Sequence, residues 1–157
     1  CDINKIVAET IDLLREEMGQ TWVVLDIRPA EHPAIVLGDS VQIHQVFFNL
    51  IDNAFDALRE VDRERRRLEI ATEFDGERVR VIVRDTGPGI PKETLEKVFD
   101  PFFTTKQVGK GTGLGLSISY GIVKDHKGSI RLESEEGKGT TAIVELPLLP
   151  PESKTPV

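Results

Sequence analysis

The sequence predicts an α+β fold, a two-layer sandwich in which one mixed, mostly antiparallel sheet carries helices on one face. Two observations predict this class: strand-like segments cluster along the chain instead of alternating strictly with helices, and three longer segments have helical spacing. With 39% of its 157 residues hydrophobic, the chain can bury one core. We expect one domain over residues 1–148, followed by a flexible proline-rich tail over 149–157.

The first elements are interpreted as scaffold. Apolar residues at helical spacing predict a helix from Asn4 to Met18, which Gly19 ends. Strand-forming runs predict two strands, over 21–27 and 34–37.

A second long helix is predicted to begin near Ser40, because Asp39 and Gln42 have the spacing of a capping box. Its wide apolar face can pack on a sheet. That face consists of Ile43, Val46, Phe47, Leu50, Ile51, Ala54 and Leu58. Asn49 and Asn53 lie one turn apart on a neighbouring polar stripe. Because asparagine is a poor helix former, the pair indicates either a solvated face or two neutral oxygen ligands for a Mg²⁺ ion that also carries phosphate oxygens.

The remaining strands follow from alternation and turns. The charged segment 60–67 is interpreted as a solvated helix end and turn, and strands over 68–74 and 79–84 flank a hairpin at Asp75-Gly76. Strands over 129–134 and 140–146 are expected to pair across the turn at 137–139. Asp85 comes at the end of a strand, where an ionised carboxylate can accept hydrogen bonds from an amino group.

Two glycine clusters, at 85–90 and 109–117, bracket a segment of little periodicity that we interpret as a lid, about Pro91 to Lys110. The second cluster precedes a predicted helix that includes Ile118, Tyr120 and Val123 and that Gly128 ends. Backbone N–H groups at such a helix start suit a phosphate. Neither cluster matches the P-loop or the dinucleotide pattern, so ordinary turns are the alternative and the residues alone predict no more than a phosphate-binding lid.

Composition excludes several classes of function. The net charge of −7 and pI near 5.0 argue against a nucleic-acid-binding surface. The single cysteine, Cys1, fits a reducing cytoplasmic location. No apolar run is long enough to span a membrane, so we expect no membrane contact by this segment. Because the chain begins with cysteine, we expect a piece of a longer protein, in which a membrane anchor could lie elsewhere.

Four short motifs and a closing strand recur in a fixed order. They are NLIDNA at 49–54, DTGPGI at 85–90, DPFFTTK at 100–106, GTGLGL at 111–116, and a strand from Gly139 to Pro147. This order resembles the N box, first glycine box, F box, second glycine box and last strand of two-component sensor histidine kinases. The resemblance covers residues 2–148 and is strongest, in the F box, to the nitrogen-regulatory subgroup. It implies a Bergerat-type ATP-binding fold of the GHKL superfamily, which DNA gyrase shares.

The resemblance also implies roles for single residues in a site for ATP or ADP with Mg²⁺. Asp85 would take the adenine amino group, partly through water near Thr140. Asn53 would be the metal ligand, and Asn49 and Lys106 would complete the candidate catalytic group. The candidate nucleotide-binding residues are Asn49, Asn53, Asp85, Gly87, Gly89, Ile90, Phe99, Thr104, Thr105, Lys106, Lys110, Gly111, Thr112, Gly113, Leu114, Gly115, Leu116 and Thr140.

The implied reaction is transfer of the ATP γ-phosphoryl group to a histidine on a separate helical dimerisation domain, with a response regulator as a further partner and a homodimeric parent protein. Hydrolysing members of the superfamily carry a glutamate base where this chain has Asn49, so efficient ATP hydrolysis is not expected. His32, His44 and His126 are interpreted as satisfied or solvated rather than as acceptors. The alternatives are a serine kinase of the same superfamily, of the anti-sigma-factor type, and a non-catalytic nucleotide-sensing module.

Overall fold

A computed structural model of the chain describes residues 1–100 and 115–150, except for the side chains of Glu17, Met18 and Gln20. The elements, in chain order, are helix α1 (Ile3–Gln20), strand β1 (Val24–Arg28), helix α2 (Ser40–Leu58), a 3-10 turn (Arg63–Arg65), strands β2 (Arg67–Asp75) and β3 (Arg78–Asp85), short helix α3 (Lys92–Leu95), helix α4 (Gly115–Asp125), and strands β4 (Ser129–Glu135) and β5 (Gly139–Pro147).

The five strands form one mixed sheet in the order β1-β2-β3-β5-β4. Only β1 pairs in parallel, with β2, and the other three pairs are antiparallel. One face of the sheet is buried under the helices. The alternation along β3 illustrates this, because Val79, Val81 and Val83 are buried whereas Arg84, directly after Val83, is exposed. The predicted fold class is confirmed.

The opposite face of the sheet carries paired charges. Arg80 on β3 lies 3.3 Å from Glu73 on β2 and 3.6 Å from Glu145 on β5, and Arg131 on β4 lies 3.2 Å from Glu145. Since each charge has opposite neighbours on the adjacent strands, this face has the charge pattern of a solvated surface.

Most of the predicted elements agree with the structure to within a few residues, but the strand predicted over 34–37 is wrong. Only Ile35 pairs, in an isolated bridge with Asp2. The segment lies against the start of α1 instead, where Val36 N–H donates to the Cys1 carbonyl and Ala34 and Val36 are buried. Its apolar residues therefore reflect packing on the core and not membership of the sheet.

Arg66, within the predicted solvated turn over 60–67, has a structural role. Its guanidinium donates to the carbonyls of Val61 and Arg59 after α2, at 2.9 and 3.1 Å, and to that of Thr21 after α1, at 2.8 Å. Carbonyls at helix C-termini lack partners within the helix. Arg66 thus satisfies the ends of both helices and joins them.

Asp39 at the start of α2 and His126 after α4 join these two helices at one end of their contact. Asp39 caps α2 through its carboxylate, as predicted, but its own N–H donates to His126 Nε2 at 3.1 Å instead of to Gln42. The helix α4 ends at Asp125, and Lys127, not Gly128, has the positive φ of 63°. Gly128 is required for another reason: a Cβ there would lie 2.2 Å from the Glu145 carbonyl oxygen.

The apolar residues of α4 are not all buried. Ile118 and Tyr120 are 39% and 41% exposed, whereas Ser119, Ile122 and Val123 are buried. The helix is rotated so that a serine enters the interface with α2, where it finds hydrogen-bond partners. No helix among residues 1–100 and 115–150 is long and apolar enough to cross a membrane.

Candidate functional site

Asp85 is a buried carboxylate at the end of β3, only 5% exposed. Gly87 N–H donates to its Oδ1 at 2.9 Å, and the backbone of Thr140, its neighbour on β5, donates as well. Burial, which disfavours the charged form, outweighs these two donors and raises the pKa of Asp85 from 3.8 to about 6. The carboxylate is therefore mostly ionised at pH 7, at an energetic cost that a further hydrogen-bond donor would reduce.

The turn after Asp85 can be built only from glycine at two positions. A Cβ at Gly87 would lie 2.9 Å from Ala57 Cβ on α2. Gly89 has a φ of 77°, and a Cβ there would lie 2.2 Å from the Glu135 carbonyl oxygen at the end of β4. Both glycines thus allow the turn to lie directly against its neighbours.

Ser134 on β4 links this turn to β5. It accepts from Ile90 N–H at 2.7 Å, donates to the Gly139 carbonyl at 3.0 Å, and lies 2.8 Å from the Thr140 hydroxyl. Since Thr140 is the register partner of Asp85, Ser134 fixes a second polar group beside the carboxylate. Ser134 therefore connects Ile90 of the turn with Thr140, which lies beside Asp85.

The other side of the turn is held by the residues around the 3-10 turn. The Thr86 hydroxyl accepts from Arg67 N–H at 2.9 Å and bonds the Arg65 carbonyl, and Arg65 Nη2 donates to the Gly137 carbonyl at 3.1 Å. The Asp85 turn is thus supported on both sides before any ligand is present.

Asn49 connects α2 to the first turn of α4. Its Nδ2 donates to the Gly115 carbonyl at 3.1 Å and to Ser119 Oγ at 3.2 Å. Because both acceptors fix which atom of the amide is nitrogen, the amide oxygen is the group that Asn49 retains for a ligand. Asn53, one turn later on α2, is half-buried. A Cβ on Gly115 would meet Asn49 only at 3.7 Å, so this contact does not demand glycine there.

The first ten residues of the predicted lid contact the rest of the domain. They contain α3, Val98 is 5% exposed, and the half-buried Phe99 packs on Tyr120 of α4 with ring centroids 5.3 Å apart. Leu116 is half-buried against the core. The other candidates of the lid and the second glycine box lie outside the described residues: Thr104, Thr105, Lys106, Lys110, Gly111, Thr112, Gly113 and Leu114. The same holds for the end of the predicted tail, from 151.

The histidines have structural partners. His44 bonds the Ser40 carbonyl and Glu9 of α1, each at 3.0 Å. His126 Nε2 must be unprotonated because it accepts from the Asp39 N–H, so its Nδ1 donates to the Ile122 carbonyl at 2.8 Å. The His32 ring stacks on Phe74, with centroids 6.5 Å apart. These contacts support the interpretation of the three as satisfied residues.

Helix α2 contacts both parts of the site, the Asp85 turn and the start of α4. Ala57 touches the Asp85 turn and Asn49 holds the start of α4. These residues are eight positions apart on one helix, or about 12 Å along its axis. The arrangement suits an elongated ligand that offers hydrogen-bond donors at one end and anionic oxygens at the other.

Comparison with known proteins identifies the family. Residues 38–150 match the family of histidine kinase-, DNA gyrase B-, and HSP90-like ATPases. The chain belongs to this family. The sequence is 40% identical to the sensor kinase CckA of Brucella abortus (strain 2308), over 98% of this chain but only 17% of CckA.

Solved structures place the chain within the family as a histidine kinase catalytic domain. The catalytic domain of the histidine kinase ThkA, in a nucleotide-free form, is 35% identical, with a TM-score of 0.80 over 94% of this chain and 93% of that one. ThkA in complex with the response regulator TrrA gives a TM-score of 0.77 at 31% identity, over 99% of this chain and 42% of that one. Full-length ShkA in complex with AMPPNP gives a TM-score of 0.80 at 25% sequence identity, over 94% of this chain and 30% of that one.

Two site residues were not predicted from the sequence, Ser119 and Ser134. Each is a single serine within a regular element, and each acts through hydrogen bonds to residues distant in sequence. Ser134 and Thr140 are six residues apart across a hairpin turn, and this spacing is a signal that could have indicated the contact between their hydroxyl groups.

The raised pKa of Asp85 leads to a prediction about stability without ligand. The folded state binds the Asp85 proton more tightly than the unfolded state, so the free energy of unfolding falls as the pH rises from about 4 to about 6. Asp85→Asn removes this cost and can still accept from Gly87 N–H. We expect it to raise the free energy of unfolding at pH 7 by up to about 2–3 kcal/mol.

Urea unfolding at several pH values tests this prediction, with Asp12→Asn at an exposed site of α1 as control. The difference between Asp85→Asn and the parent chain should be small near pH 4 and reach its maximum above pH 6. A variant that is less stable than the parent chain at pH 7 would contradict the electrostatic account of this residue.

Proposed function

We propose that the chain binds ATP with Mg²⁺ and transfers the γ-phosphoryl group to a histidine on a separate helical domain of its parent protein. The observation that carries the proposal is the buried Asp85 carboxylate, which is held by backbone donors in a turn that only glycine can form. Membership of an ATPase family supports the nucleotide, and the histidine kinase relatives support the acceptor.

Adenine recognition is inferred from the capacity of the Asp85 carboxylate to accept further hydrogen bonds. The carboxylate oxygens can accept up to about four hydrogen bonds, and two backbone donors are present. An exocyclic amino group would supply a donor and stabilise the charged form. The Thr140 hydroxyl, held by Ser134, would lie beside the same edge of the base, as a direct or water-mediated partner.

The phosphates would lie near the middle of α2, beside Asn49, about two turns before Ala57. The amide N–H groups of Asn49 bond α4, so its oxygen faces the ligand, and Asn53 would be the metal ligand one turn away. Among residues 1–100 and 115–150, no three His, Cys, Asp or Glu side chains are grouped to hold a metal. The donor set therefore fits a Mg²⁺ that takes most of its ligands from phosphate and water.

Bound Mg²⁺ would neutralise charge on the β- and γ-phosphates. The residues of the chain have the task of positioning, which is most of what phosphoryl transfer requires of a protein. We propose that Lys106 and Lys110 approach the β/γ end, and that the backbone of Gly111, Gly113, Leu114 and Gly115 binds the triphosphate. Asn49 is an amide without basic character, so water near the γ-phosphate gains no general base from it.

The partners and the location are proposed by analogy. The solved complex of ThkA with TrrA supports a response regulator as partner. A dimerisation domain with the acceptor histidine, a homodimeric parent protein and a cytoplasmic location belong to the same proposal. The chain spans 17% of CckA, so the parent protein has room for these parts if it resembles that relative.

The first test concerns the base. If Asp85 accepts from an amino group, guanine presents a carbonyl at that position and leaves two acceptors facing each other. Calorimetry should give weaker binding of Mg²⁺·GDP than of Mg²⁺·ADP by about 1–3 kcal/mol. Asp85→Asn should weaken ADP binding, whereas Asp75→Asn, at the exposed end of β2, should not. Equal affinities for the two nucleotides would exclude this assignment.

The second test concerns the reaction. Residues 1–157 should bind Mg²⁺·ATP but hydrolyse it slowly, because general-base assistance worth ~10²–10⁴-fold is missing. Addition of the acceptor domain of the parent protein should yield acid-labile phosphohistidine. Asn53→Ala should abolish that label, and Gln45→Ala, at an exposed position of the same helix, should retain it.

Three outcomes would contradict the proposed reaction. Rapid turnover of ATP by the chain alone would indicate a hydrolase, and acid-stable label on the acceptor would indicate a serine kinase. Nucleotide binding without any transfer to the acceptor domain would indicate a sensing module.

A further inference from the structure

Ser119 lies in the middle of α4 and belongs to none of the motifs described above. Its side chain is 0% exposed, one of four polar residues that are buried in the described part of the chain. A hydroxyl in such a place must find hydrogen-bond partners, because burial without them costs about 1–3 kcal/mol. The partners that it finds are the first residue of α4 and Asn49 of α2.

The three groups form a closed triangle of hydrogen bonds. Ser119 Oγ donates to the Gly115 carbonyl at 2.8 Å. Asn49 Nδ2 donates to the same carbonyl at 3.1 Å and to Ser119 Oγ at 3.2 Å. Because the two acceptors lie only 2.8 Å apart, they lie on the same side of Asn49 Nδ2 and share one N–H direction, so the amide nitrogen is held by two acceptors instead of one. The amide oxygen, on the other arm of the same plane, points away from them.

We propose that Ser119 is a positioning residue for the phosphate end of the nucleotide, and that it acts by fixing the orientation of the Asn49 amide relative to the first turn of α4. The inference rests on the proposed function. Without the hydroxyl, the Asn49 amide keeps the Gly115 carbonyl as its one acceptor in the triangle, and the amide can rotate more freely or turn its nitrogen toward the ligand. An oxygen that has to meet Mg²⁺·phosphate would then be held less well, whereas the Asp85 turn, about 12 Å away along α2, would be unaffected.

The chain offers a matched control in Thr10 of α1. Thr10 is also 0% exposed, and its hydroxyl donates to the Ile6 carbonyl at 2.8 Å, the same bond to the residue four positions earlier. It has no second side-chain partner among the described residues. Thr10→Val and Ser119→Ala therefore both remove a buried hydroxyl from a helix, and only the second releases an asparagine of the site.

The test compares two ligands on the full chain, residues 1–157. Mg²⁺·ADP, measured by calorimetry, uses both ends of the site, and adenosine, measured by NMR shift titration, uses the base end alone. We expect Ser119→Ala to weaken Mg²⁺·ADP roughly fivefold, the factor that corresponds to one hydrogen bond of ordinary net strength. Adenosine affinity should change by less than about twofold, and Thr10→Val should leave both affinities unchanged.

A double-mutant cycle asks whether the effect passes through Asn49. In an Asn49→Ala background, Ser119→Ala should cause no further loss of Mg²⁺·ADP affinity. A purely structural role for Ser119 would instead lower the affinity in both backgrounds. Ser119→Cys, with a weak donor at the same place, should give an intermediate loss and replaces Ser119→Ala if that variant does not fold.

The inference is overturned if folded Ser119→Ala binds Mg²⁺·ADP like the parent chain, if it loses affinity for ADP and adenosine to the same extent, or if the loss persists without Asn49. These results leave the proposed function intact, because the parent chain still binds ADP. If the unsubstituted chain does not bind Mg²⁺·ADP, both this inference and the proposed function are overturned.

Discussion

The structure of the site depends on one constraint, the burial of the Asp85 carboxylate at the end of β3. Burial raises its pKa to about 6 even though two backbone groups donate to it. Among residues 1–100 and 115–150 the carboxylate has two backbone donors, fewer than it can accept, and burial limits its solvation by water. A pKa perturbed in this way is typical of a functional site, where a ligand can supply a further donor. In this interpretation the adenine amino group completes the hydrogen bonding of the protein.

The surroundings of Asp85 are built by close approach of backbone segments. A Cβ at Gly139 would lie 2.0 Å from the Asp85 carbonyl oxygen, and Gly87 and Gly89 allow similar approaches to α2 and to β4. The hydrogen bonds of Ser134 then fix the spacing between the segments. Because α2 contacts this turn at one end and α4 at the other, the helix sets the distance between the base and the phosphate parts of the site.

The sequence predicted the fold class, because that depends on periodicity, and it named the candidate site residues from motifs of local spacing. Asn49 and Asp85 stand out as polar residues at unusual positions in regular elements. Ser119 and Ser134 were not predicted, since a single serine leaves no periodic pattern and the partners that link them to the site, Asn49 and Ile90, are distant in sequence. The strand predicted over 34–37 failed for the related reason that an apolar run indicates burial but not the surface that it packs on.

The most direct test of the central claim is the titration of Asp85 itself. Carbon-13 NMR of the side-chain carboxyl, assigned by comparison with Asp85→Asn, reports its pKa with and without saturating ADP. The account predicts a pKa of about 6 in the free chain and a lower value with ADP, because a donor from adenine stabilises the charged form. A pKa near 3.8 in the free chain, or one that ADP leaves unchanged or raises, would contradict it.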